Sequence, residues 1–173
     1  MNRRRMFGTI VVLAALGVAG TWWLRRGGAT SGQESVSLSW KGKYQGSATI
    51  PATLNWCPGS RIAIVEAISN DTGFAMVIHA ADTLAKGTLT MLPQEFLVNG
   101  PRPAASAGLR WPVDTATLAG FRAQTGVLEL VVASGRLSGN FTARMQPQMS
   151  LDTLTVTGSF RNLLIESRAA GCP

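Results

Sequence analysis

From Ser35 onward the chain alternates. In Ser35-Val36-Ser37-Leu38-Ser39-Trp40 every second residue is apolar, the two-residue period of a half-buried strand. Ala48–Trp56 repeats the pattern, interrupted by Pro51, which cannot donate to a ladder and so marks an edge or a bulge. Further strands are predicted at Arg61–Ile68, Phe74–His79, Gly87–Leu92, Glu95–Val98, Ala107–Trp111, Val127–Ala133, Leu137–Met145 and Leu151–Ile165. Turn-formers separate them, such as Cys57-Pro58-Gly59, Asn70-Asp71-Thr72-Gly73, Asn99-Gly100-Pro101 and Ser134-Gly135. About 8–10 short strands at this spacing predict an all-β domain, an antiparallel sandwich or a partly open barrel. One segment departs from the pattern: Asp114–Gly126 opens on a good N-cap, closes on glycine and carries Leu118 and Phe121 at i and i+3, which predicts a short helix or turn.

Two of the late strands share a motif, Leu137-Ser138-Gly139-Asn140-Phe141 and Val156-Thr157-Gly158-Ser159-Phe160. In each, the apolar residue, the glycine and the phenylalanine fall on one face. A glycine so placed makes room for a neighbouring ring or lets the strand coil.

The first 34 residues follow another rule. Phe7–Leu24 is an uncharged run of 18 residues, long enough to cross a bilayer as a slightly short helix. Trp22 and Trp23 end it at headgroup level, and Arg25 and Arg26 follow. Residues 1–26 therefore read as a membrane anchor, or as an export signal cleaved after Gly27-Gly28-Ala29. Arg4-Arg5-Met6-Phe7 resembles the core of the twin-arginine export signal, and the secretory route is the other possibility. Residues 27–34, small and polar, form a tether. Residues 35–173 are the exported domain, in the periplasm or outside the cell, of a protein expected in the bacterial envelope.

Charge supports this division. Of 16 Lys and Arg, five flank the apolar run, which leaves 11 bases against 9 acids beyond residue 26. The high isoelectric point belongs to the N-terminus, so no basic face for nucleic acid is expected. Two cysteines in an exported domain are expected to pair, Cys57 with Cys172, closing a loop of 115 residues. No cysteine follows the apolar run, so the anchor is protein rather than lipid.

The search for chemistry yields little. The single histidine, His79, stands three residues before Asp82, but no Gly-x-Ser-x-Gly elbow accompanies it. Glu66 and Glu129 each interrupt an apolar strand; facing inward they would form a candidate acid pair, facing outward they are surface residues. Phosphate-cradling motifs are missing, one histidine is a poor supply of metal ligands, and no cofactor is expected. The best binding signal is aromatic: Trp40, Tyr44, Trp56 and Trp111 lie near strand ends, where rings stack on ligands or lid a core. The sequence thus predicts a non-enzymatic, single-pass envelope protein whose domain binds another envelope component, protein or lipid, through a surface patch or sheet edge. The alternatives are a binder of a small apolar ligand enclosed between its sheets and a hydrolase with paired carboxylates.

Overall fold

The structure is a computed structural model that describes residues 34–167 and 172, apart from 98, 115–116 and 148–150. The expected anchor, with Phe7, Trp22, Trp23, Leu24, Arg25 and Arg26, lies outside the described residues. Among those described, no helix is long and apolar enough to cross a membrane.

Ten strands carry the domain: β1 (Ser35–Gly42), β2 (Gly46–Cys57), β3 (Ile62–Ser69), β4 (Thr72–His79), β5 (Gly87–Met91), β6 (Ala104–Pro112), β7 (Leu118–Ala133), β8 (Arg136–Gln146), β9 (Leu154–Leu164) and β10 (Glu166–Ser167). They form one mixed sheet rather than two. Neighbours in the order β1-β2-β3-β4-β6-β7-β8-β9 pair antiparallel, and β9 pairs back onto β1, from Ser35↔Arg161 to Gly42↔Leu154. The ladder thus returns on itself, which removes its long edges. The short strands make the sheet mixed. β5 fills the gap where β6 and β7 diverge, antiparallel to β7 and parallel to β6. β10 lies parallel to the end of β2.

Alternation explains the interior. Val36, Leu38, Ile50, Leu54, Val65, Met76, Leu128 and Phe160 all point inward and are buried. The glycine motif has a register to match: Gly139 pairs with Phe160 and Gly158 with Phe141. A Cβ at Gly139 would lie 2.5 Å from Phe160 Cζ, and one at Gly158 would lie 2.6 Å from the Phe141 ring. Each glycine therefore seats the other strand's ring, and Phe141 stacks in turn on Phe74 with centroids 5.3 Å apart.

Pro51 sits where β2 changes partner. Its ladder with β1 ends at Ser35↔Pro51 and its ladder with β3 begins at Ala52↔Ala67, so Pro51 marks a change of partner within a strand paired on both sides rather than the edge or bulge expected.

Two further expectations are corrected. From Leu118 on, the segment expected as a helix is strand: β7 pairs with β6 at Gly108–Pro112 and with β8 further along. Leu118 and Phe121 then take opposite faces, one exposed and one buried, because pairing with two neighbours outweighs local capping signals. Gly126, read as a helix end, is instead a close approach, since a Cβ there would lie 2.5 Å from the Thr142 carbonyl oxygen. Glu95–Val98, expected as strand, instead begins in a single 3-10 turn, Gln94–Phe96.

Strand directions alternate, so the turns at 43–45 and 70–71 share one end of the ring with the 113–117 connection. The chain entry at Glu34, the 58–61 turn and the Ser134-Gly135 turn share the other. The expected disulfide is present at that second end: Cys57 and Cys172 are joined, with Cα atoms 5.6 Å apart.

Candidate functional site

The four aromatic residues predicted as binding candidates divide. Trp40 and Trp111 are 7% and 9% exposed and stack with ring centroids 5.0 Å apart, and Trp111 stacks on Phe121 at 5.2 Å. Tyr44 meets both Trp111 and Phe121 edge-on. These rings plug one end of the ring of strands; the Trp40 indole lies over Gly46, where a Cβ would approach it to 2.6 Å. Trp56 is half-buried at the opposite end, on the ladder with β10.

The candidate chemistry does not assemble either. His79 is 7% exposed, its Nδ1 has no hydrogen-bond partner, and no hydrogen bond joins it to Asp82 among the described residues. Burial holds its pKa below the ordinary 6.5, and the Arg102 guanidinium adds to the effect. Glu66 and Glu129 both face outward and are exposed. They stand on β3 and β7, with β4 and β6 between, and Glu129 lies seven residues beyond Arg122, the β7 position in Glu66's cross-strand row. Among the described residues no three His, Cys, Asp or Glu side chains gather as metal ligands.

What the structure does assemble is a groove that the sequence reading missed. On β3, β4 and β6 most outward positions are apolar or small as well as the inward ones: Ile62, Ile64 and Ile68 on β3; Gly73, Ala75 and Val77 on β4; Ala104 and Gly108 on β6, with Glu66, His79 and Arg110 among them. Near the disulfide end this second apolar face is covered by the chain itself. Residues 92–103 leave β5 with Leu92 N–H donating to the Ala105 carbonyl (2.8 Å), reach the β2–β3 turn, where Arg102 Nη1 donates to the Ser60 carbonyl (3.2 Å), and return into β6. Outward-facing Ile62, His79 and Ala104 are buried there, as is Leu97 of this strap.

Toward the aromatic end, the strap does not reach and a groove of about 390 Å³ remains. Its floor is two cross-strand rows. One runs Glu66↔Ala75↔Gly108↔Arg122, the other Ile68↔Gly73↔Arg110↔Gly120. Glycine and alanine keep the floor low, and nothing lies within 4 Å of a Cβ added at Gly120. Arg110 lies across Gly73, its Nε 3.0 Å from where a Cβ would be. Ile68 stands 62% exposed at the margin. Neither Arg110 nor Arg122 has an ion pair or hydrogen bond among the described residues, in contrast to Arg136, which donates to Glu34 at 3.0 Å, and Lys43, which donates to Asp152 at 2.8 Å. Glu66 stands three strand spacings, roughly 14 Å, from Arg122 and two strand spacings from Arg110.

The chain matches no protein-family model, no curated protein and no solved structure, so the groove is interpreted from its own residues. The signal for it was present in Ile62-Ala63-Ile64-Val65 and Phe74-Ala75-Met76-Val77-Ile78, where strict alternation lapses into a continuous apolar run. Such a run marks a strand covered on both faces.

Proposed function

We propose that this is a non-enzymatic, single-pass bacterial envelope protein, anchored by residues 1–26, whose exported domain is a closed β-barrel that binds another envelope component in its outer groove. The observation that carries this reading is the half-covered apolar face of β3, β4 and β6: the strap protects the part near the disulfide, and the remainder has the form of a ligand site, an apolar floor with a few charged groups at its margins. The closed ladder leaves a surface patch, rather than a long sheet edge, as the means of binding.

Enclosure of an apolar ligand inside the domain is the less supported alternative. The interior positions that would line such a site hold the stacked rings of Trp40, Trp111 and Phe121 at one end and the interlocked Phe141, Phe160 and glycine pairs at the middle.

The test uses the full-length protein in its host membrane, with a photoreactive residue at Ala75 in one variant and at Thr157 in another. Irradiation is expected to give a discrete adduct from Ala75 and none from Thr157. Equal labelling from both positions, or none from Ala75, would overturn the assignment of the groove. Carbonate extraction of the same membranes tests the anchor: the protein is expected to remain in the pellet, and release would favour cleavage.

A further inference from the structure

We infer that the ligand of the groove is a small anionic amphiphile: a free molecule with a carboxylate head held by Arg110 and Arg122 and a short apolar body lying on the Gly73, Ala75, Gly108 and Gly120 floor. This inference rests on the groove being the binding site and goes further by naming the chemistry of the ligand.

Three features support it. The first is size. A volume of about 390 Å³ falls in the range of small-molecule sites, roughly 300–1,000 Å³, whereas a stable protein interface needs on the order of 800 Å² on each partner.

The second is charge. Register places Arg110 opposite Gly120 and Arg122 opposite Gly108, so the two arginines are diagonal neighbours on adjacent strands, about 7–8 Å apart, with the Arg110 side chain lying over Gly73 on β4. Like charges at this spacing repel, and no acid among the described residues pairs with either. A carboxylate that draws the Arg110 side chain from Gly73 toward β7 removes the repulsion and accepts charge-assisted hydrogen bonds from both planar guanidinium groups. Glu66 on the opposite flank repels a second anionic group, which orients the ligand head-first toward β6 and β7.

The third is the floor itself. Glycine at three of its four positions leaves backbone and the rings of Phe74 and Phe121 close beneath the ligand, so a narrow alkyl or aryl body finds apolar contact once the Arg110 side chain has swung off Gly73. At Gly108 a Cβ would meet only the Phe121 carbonyl oxygen, at 3.8 Å, so the absence of a side chain there is not required by packing.

The experiment is calorimetric titration of the full-length protein in lipid nanodiscs with octanoate, octanol and octylamine, with empty nanodiscs as the partition control. The parent protein, the Arg110→Gln/Arg122→Gln pair and Gly108→Leu are compared, all with unchanged thermal midpoints. Octanoate is expected to saturate one site at least tenfold more tightly than octanol, the double variant to lose that advantage, and Gly108→Leu to bind neither. Equal binding of octanoate and octanol, tighter binding of octylamine, or no saturable octanoate binding would each overturn the inference. The Ala75 photoadduct separates this failure from failure of the groove assignment: an adduct to a protein would overturn the amphiphile while leaving the groove as the binding site, and loss of the adduct would end both.

Discussion

The two sides of the ring follow different rules. Along β9, β1 and β2 the outward positions are Thr155, Thr157 and Ser159; Ser35, Ser37 and Ser39; Ser47 and Thr49, and the hydroxyls of Ser37 and Thr49 lie 3.2 Å apart. Inward and outward are cleanly separated, as in a strand with one wet face. Along β3, β4 and β6 the outward face too is mostly apolar or small, with Glu66, His79 and Arg110 as the exceptions. The inward alternation common to both sides builds the same core, so the outward residues are where they differ. A hydroxyl wall needs no cover. An apolar wall does, and this chain supplies one only near the disulfide.

The largest effect that bears on this contrast comes from removing the staple that ties the C-terminal tail to outward-facing Cys57. Cys172→Ser opens a loop of 115 residues, and the denaturant midpoint is expected to fall by the equivalent of about 4–5 kcal/mol in the chain-entropy limit. Next come the glycines, which the core and the groove use differently. Gly139→Ala and Gly158→Ala each drive a methyl into a buried ring and are expected to cost about 1–3 kcal/mol. Gly120→Ala in the groove, meeting nothing, is expected to leave stability unchanged or to raise it by about 0.5–1 kcal/mol. Equal losses at all three positions in chemical denaturation would erase the distinction between a packing glycine and a floor glycine.

A smaller effect is expected from His79 under the strap. Its folded-state pKa lies below the ordinary 6.5, so the unfolded chain binds more protons as pH falls. The stability contribution is fully present above pH 6.5 and is lost as pH drops below that value toward the lowered folded-state pKa. The slope cannot exceed one proton, about 1.4 kcal/mol per pH unit. Denaturant midpoints at pH 7.5 and 5 are expected to differ less in His79→Gln than in the parent; identical pH dependence would remove His79 as the cause. The smallest effect belongs to Glu66→Gln with Glu129→Gln. Both side chains are exposed, and stability is expected to stay within about 0.5 kcal/mol.

The strands, the staple and the seating of rings on glycine were legible in the sequence because each depends on local spacing or on a short inventory. Period-two alternation locates β1 and β2 almost to the residue, and with only Cys57 and Cys172 present a single pairing is available. The 118–126 segment was not legible, because a glycine in a close strand approach and a glycine at a helix end look alike until the partner strand is known. The groove was hidden for a related reason. Arg110 and Arg122 come together only through the β6–β7 register, and Ala75 and Gly108 become a floor only once β4 lies beside β6. The apolar run of β3 hinted at a second buried face but not at the strap that covers half of it.

Closure of the ladder also has a kinetic consequence. β1 completes its hydrogen bonding only when β9 arrives, and Ser35 pairs with Arg161, so the first and last long strands must find each other across almost the whole domain. Contacts so distant along the chain slow folding, and until they form, β1 and β9 present open edges to other chains. A domain of this kind reaches its native state only after its last strand has been delivered. If it crosses the membrane unfolded, the interval between emergence of residue 35 and emergence of residue 161 is when it is most exposed to aggregation and proteolysis.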